Sequence, residues 1–78
     1  LEQLSNWIAT HPKTAKRILD LIDQTTRTPF DGIGKPEALK HEFAGCWSRR
    51  IDSEHRLVYQ VRETEIIILS CRWHYRAK

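Results

Sequence analysis

Leu4, Trp7 and Ile8 fall at i, i+3 and i+4, the spacing that places side chains on one face of an α-helix. The chain therefore opens on an amphipathic helix, which stops near Thr10-His11-Pro12. Pro12 suits the first turn of a second helix, where its missing N–H is no loss, with Thr10 or His11 at the capping position. Ala15, Ile18, Leu19 and Ile22 repeat as i, i+3, i+4 and i+7, while Lys13, Lys16, Arg17, Asp20 and Asp23 take the wet side. Three threonines and Pro29 end this second helix, because the residue before a proline is pushed out of helical geometry. Phe30 to Pro36 is dense in turn residues and reads as a loop.

Beyond the loop the period changes from 3.6 to two. Extended segments are predicted at 43–51, 55–62 and 65–74, with gaps short enough for hairpins, so the second half is an antiparallel meander. The fold class is α+β: a small sheet packed against two N-terminal helices in one domain spanning residues 1–78. If odd positions stay together, one sheet face carries Trp47, Ile51, Leu57, Tyr59, Val61, Ile67, Leu69, Cys71 and Trp73, with Arg49 as the exception near an edge. The other face then presents Ser48, Arg50, Arg56, Val58, Gln60, Ile68, Ser70, Arg72 and His74. This parity needs an even sum at each partnered pair, as when a three-residue loop at 52–54 sets Arg50 opposite Arg56. A slip of one residue reverses it.

Three arginines on one sheet face repel one another unless an anion lies between them. Their planar forks suit phosphate. The alternative is that they splay into water or pair with Glu54, Glu63 and Glu65. Overall charge does not decide between these, since 13 Lys and Arg against 10 Asp and Glu leave only +3, spread evenly over both halves. At 78 residues the chain buries a modest core, which makes a binding partner worth seeking and excludes a two-domain enzyme. Cys46 and Cys71 are 25 positions apart without metal-ligand or CxxC spacing, and a reduced, buried pair in a cytoplasmic protein is expected. No apolar run approaches membrane-spanning length.

Four ordered blocks sharpen the picture: Gly34-Lys35-Pro36-Glu37-Ala38-Leu39-Lys40-His41, Cys46-Trp47-Ser48-Arg49-Arg50-Ile51, Glu54-His55-Arg56-Leu57-Val58-Tyr59 and Cys71-Arg72-Trp73-His74-Tyr75. Together they resemble the YoeB toxins of the RelE superfamily, over nearly the whole chain. The resemblance implies the RelE-like microbial ribonuclease fold and a toxin of a toxin–antitoxin pair that cleaves mRNA in the ribosomal A site. It implies no metal and no cofactor. Its partners would be the ribosome, mRNA and a YefM-like antitoxin, and a homodimer is compatible with it.

By position in the matching motifs, Glu37 is implied as the base for the ribose 2′-hydroxyl, Arg56 as the residue that stabilises charge on phosphorus, and His74 as the acid for the leaving oxygen. Lys40 and Arg50 resemble phosphate clamps, Arg72 could assist them, and Tyr75 resembles the family's terminal tyrosine. Trp73 is assigned to the core by parity, while His41 and His55 are read as neighbours that shape the loop or touch RNA. Two departures stand out: the chain continues through Arg76-Ala77-Lys78, and it starts at Leu1 without Met, as if the family's first strand were missing. The competing class is a non-catalytic module whose basic sheet binds RNA or protein. It accounts for the arginines and leaves Glu37 unexplained.

Overall fold

The computed structural model describes residues 1–74. Two helices, α1 (Glu2–Thr10) and α2 (Pro12–Arg27), precede four strands: β1 (Glu37–Ala38), β2 (Cys46–Arg50), β3 (His55–Val61) and β4 (Ile66–His74). The sheet is antiparallel throughout, in the order β1-β2-β3-β4. His11 breaks the helical run with non-helical backbone, and its N–H closes α1 on the Trp7 carbonyl at 2.7 Å, so that Pro12 begins α2 where no N–H is needed.

Both helices press one face onto the sheet, and the core joins Trp7, Ala15, Ile18 and Leu21 to Ile51, Leu57, Tyr59 and Cys71. The α2 stripe is rotated slightly from the expected one. Leu21 is fully buried, whereas Leu19 and, on α1, Ile8 are about half exposed. Thr25, also fully buried, satisfies its hydroxyl on the Leu21 carbonyl at 2.7 Å, one turn back.

The β2–β3 hairpin has the expected register: Arg50 faces Arg56 across a loop of Asp52, Ser53 and Glu54, and Ile51 N–H bonds to the His55 carbonyl at 3.0 Å. Asp52 builds that loop by accepting from the amides of Glu54 (2.8 Å) and His55 (2.7 Å). Where a strand was expected from Phe43, a 3₁₀ turn at His41–Phe43 comes first, and the strand begins at Cys46.

On β4 the expected parity is wrong. Val61 pairs with Ile66 across a four-residue loop closed by Arg62 N–H on the Glu65 carbonyl, so the partnered sums are odd and Ile66 and Ile68, not Ile67 and Leu69, pack on the core. Leu69 is exposed. Register shifts on either side of Val58 then feed extra β4 residues into the ladder. They return Cys71 to the core, set Trp73 opposite Arg56, and set His74 opposite His55. Arg72 and His74 therefore do not lie on the Arg56 face, and Trp73 is not a core residue.

The groups released by this irregular stretch are taken up by α1. Gln3 Oε1 accepts from Cys71 N–H (2.7 Å) and Ser70 Oγ (3.1 Å), while Trp7 Nε1 donates to the Cys71 carbonyl (3.0 Å). Arg72 follows them to the same side, with its guanidinium 4.3 Å from the Trp7 ring and hydrogen-bonded to Asn6. Both cysteines are free and buried, and burial raises the Cys71 thiol above its usual range, partly opposed by Arg72.

Arg49 also departs from expectation. It is fully buried beneath the sheet rather than at an edge. Its guanidinium donates to the carbonyls of Thr28, Asp31 (2.9 Å) and Ile33 (3.1 Å), to Gln24 Oε1 (3.2 Å) and to the Tyr59 hydroxyl (3.2 Å). Tyr59 in turn donates to the Pro29 carbonyl at 2.6 Å. One side chain thus ties the end of α2 and the following loop to the middle of the sheet.

Candidate active site

That tied loop delivers Glu37. Gly34 has φ +83, and a Cβ there would meet Leu21 Cδ2 at 2.9 Å and Arg50 O at 3.2 Å, so only glycine lets the loop come this close. Its carbonyl accepts from Arg50 N–H at 2.6 Å. Lys35 continues in the left-handed region at φ 50, and Glu37 and Ala38 then pair with Ser48 and Trp47 as β1. Beyond them Leu39 N–H reaches the Cys46 carbonyl at 2.9 Å. The chain on both sides of Glu37 is therefore pinned to β2, although the side chain itself is exposed.

Ser48 and Arg56 meet Glu37 on the sheet face away from the helices. Arg56 Nη1 lies 3.3 Å from Ser48 Oγ and 3.9 Å from Glu37 Oε2. Its side chain is 5% exposed and that of Glu37 48%, so the cation is held inside and the carboxylate faces solvent. Cross-strand pairing puts Arg50, which is exposed, directly opposite Arg56. Such a pair of guanidiniums is costly beside nothing and favourable beside an anion. Lys40 is exposed at the start of the 3₁₀ turn, one residue beyond Leu39.

Two further side chains frame this face that were not among the expected site residues. Trp73, opposite Arg56, meets the Phe43 ring edge-on at 5.8 Å, and Phe43 is exposed. Cross-strand pairing thus sets Trp73 beside Arg56, with the Phe43 ring against it. Ser48 is fully buried and orients Arg56. The signal for Ser48 was available, since alternation already put it on the arginine face; the signal for Trp73 was obscured by the β4 register.

Of the other expected site residues, His74 lies at the end of β4 with its ring edge-on to His55 at 4.8 Å. Arg72 is turned to α1, and Tyr75 lies outside the described residues. His55 Nδ1 sits 3.1 Å from both Asp52 oxygens. Burial raises the Asp52 carboxyl, but the amides of His55 and Glu54 and the His55 ring outweigh it and hold Asp52 below the usual carboxylate range. Glu37, Arg50 and Arg56 are thus gathered on one face, while His55, His74 and Arg72 cluster around the strand's other side.

Two helices on a four-stranded antiparallel sheet, with a carboxylate over a buried arginine, define the class: a small α+β domain with a basic sheet face. Its family follows from comparison with known proteins. Residues 1–75 match the model of the YoeB-like toxins of bacterial type II toxin–antitoxin systems. The toxin YoeB of Escherichia coli K12 is 54% identical over 69 residues, which cover 88% of this chain and 82% of that protein. The toxin YoeB of Synechocystis is 58% identical over 64 residues, covering 82% and 74%. Among solved structures, a YoeB/ParE toxin from Agrobacterium tumefaciens superimposes with a TM-score of 0.89 at 44% identity, covering 95% of this chain and 89% of that one. A YoeB–YefM complex from Staphylococcus aureus gives 0.87 at 43%, covering 95% and 86%. The chain belongs to the YoeB-like toxin family.

Proposed function

We infer that this toxin is a ribosome-dependent endoribonuclease, and the observation that carries the reading is Glu37 over buried Arg56 and Ser48 on the open side of the sheet. Glu37 accepts the proton of a ribose 2′-hydroxyl, and the freed oxygen attacks the adjacent phosphorus. Charge gathers on the phosphoryl oxygens, which Arg56 and Arg50 stabilise, with Lys40 adding a further positive charge. The bond to the 5′-oxygen breaks as His74 donates a proton, leaving a 2′,3′-cyclic phosphate and a 5′-hydroxyl. Since the His74 ring rests against His55, off the Arg56 face, the end of β4 must shift to bring its imidazole to the phosphate when substrate binds. Side chains supply the base, the acid and the positive charge, so the reaction as proposed needs no metal. Tyr75, next to His74, is proposed to contact the RNA, and Arg72 steadies α1 rather than the phosphate.

A flat face of this size holds single-stranded RNA weakly, so the ribosome supplies substrate positioning and the protein acts in the cytoplasm. Two solved relatives from Staphylococcus aureus are a YoeB–YefM complex and a YoeB dimer. By extension the partners of this chain are an acidic YefM-like antitoxin that covers the arginine face, and a second copy of itself.

Primer extension on ribosome-bound mRNA tests the reading. The expected result is new 5′-hydroxyl ends with the wild-type protein, lost in Glu37→Ala and in His74→Ala while both variants still bind ribosomes. Wild-type cleavage by both variants overturns it. No new ends from the wild-type protein, with ribosome binding retained, instead identifies a pure binding module.

A further inference from the structure

We propose that Glu54, His55 and His74 form a binding site for a zinc-like divalent transition metal that silences the toxin. One donor atom from each residue lies within 4.8 Å of the other two. A tetrahedral ion with bonds of about 2.0–2.1 Å holds its donors roughly 3.4 Å apart. Closing the set therefore takes a rotation of the Glu54 and His74 side chains, both exposed, the first in the β2–β3 loop and the second at the end of β4. Two imidazoles and one carboxylate are a donor set typical of zinc, with the fourth position left to water.

A second feature makes this more than a chance cluster. A ligating histidine usually donates its other ring nitrogen to a carboxylate, which fixes the tautomer and aims the free nitrogen. Asp52 does this for His55, with Nδ1 at 3.1 Å from both carboxylate oxygens. The two backbone amides that fix Asp52 fix the imidazole as well, so Nε2 is left with a lone pair to offer. Behind His55 the Trp7 ring packs edge-on at 5.0 Å, which limits the rotation of the imidazole. The site is therefore rigid at one ligand and mobile at two, as expected of a site that binds reversibly.

The effect on activity rests on the proposed role of His74. Coordination occupies the imidazole lone pair that must carry the proton to the leaving oxygen, and it holds the ring against His55, away from Arg56. The metal is an inhibitor of the reaction and supplies none of its chemistry.

The test is a titration of the purified protein with zinc chloride, read by calorimetry and by the imidazole resonances of His55 and His74. One ion per chain is expected, with both imidazoles moving together. His55→Gln and His74→Gln should each weaken binding roughly tenfold or more, and Glu54→Gln somewhat less. Circular dichroism shows whether each variant is folded, and the wild-type resonances decide the matter if one is not. Absence of saturable binding at millimolar zinc, movement of only one of the two imidazoles, or one ion shared between two chains overturns the site. In the ribosome assay, Glu54→Gln should cleave normally and need more zinc for inhibition; equal sensitivity to zinc overturns the inhibitory role. Binding is read without RNA, so loss of the ribonuclease reading leaves the site standing, and loss of the site leaves that reading untouched.

Discussion

The sheet contains two buried arginines, one on each face, and they are used in opposite ways. Arg49, beneath the helices, meets backbone carbonyls, an amide oxygen and a phenol. Arg56, on the other face, meets a serine hydroxyl and, at 3.9 Å, a half-exposed carboxylate. A buried charge is tolerated where fixed dipoles replace water around it. Neutral acceptors do that for Arg49 and leave it nothing to exchange, which suits a clamp. Glu37 can leave Arg56 when a stronger anion arrives, which suits a binding site. The same residue type thus holds the fold on one side of the sheet and serves chemistry on the other.

The largest effects come from exchanging these roles. Arg49→Ala strands the Thr28, Asp31 and Ile33 carbonyls and should cost about 3–5 kcal/mol in a urea melt, much of the roughly 4–12 kcal/mol that a domain of this length has. Arg56→Ala should leave the melt nearly intact by comparison while lowering cleavage by about 10²–10³, the usual loss for one donor to a developing oxyanion. If Arg56→Ala unfolds the protein and Arg49→Ala does not, the contrast between the faces is wrong. Glu37→Gln belongs with Arg56: its exposure predicts a stability change within about 0.5 kcal/mol, alongside lost cleavage.

Tyr59 sits at the boundary of the Arg49 cluster, and Tyr59→Phe removes one donor and one acceptor together. The Pro29 carbonyl and Arg49 Nε lose a partner, for about 1–3 kcal/mol. Burial raises the Tyr59 hydroxyl above its ordinary value of 10.0, partly opposed by Arg49. The folded state therefore keeps that proton longer than the unfolded chain does. The stabilisation is complete below pH 10 and is lost as pH rises through the folded value. Urea midpoints measured from pH 9 upward should fall for the wild type and fall less for Tyr59→Phe; parallel curves would remove Tyr59 as the cause.

The helices and the β2–β3 hairpin were legible in the sequence because apolar spacing repeats there and the Asp52 turn marks its own length. β4 was not, because Ile66-Ile67-Ile68-Leu69 is apolar at every position and looks the same in either register. Its true register is decided by the four-residue loop, and its bulges by Gln3 and Trp7 about 65 positions away. That displacement is why Trp73 was assigned to the core, and Arg72 and His74 to the arginine face. Arg49 was unreadable for a related reason: three of its partners are backbone carbonyls, which residue identity does not encode. Glu37 has no periodic signal at all, and only the resemblance of its motif pointed to it.

The smallest effect tests the edge between the two faces. Asp52 is held charged by the Glu54 and His55 amides against the opposing effect of burial, so its contribution is present above 3.8 and is lost as pH falls through the lower folded value. Its carboxylate is about two-fifths exposed, and water screens much of the gain. Asp52→Asn keeps an oxygen for the two amides and removes the charge opposite His55. The urea midpoint at neutral pH should therefore drop less than in Tyr59→Phe, and the difference from wild type should shrink as the pH is lowered below 3.8. A gap that stays constant down to acid would mean that Asp52 acts through shape alone, and that the turn holding His55 owes nothing to the carboxylate's charge.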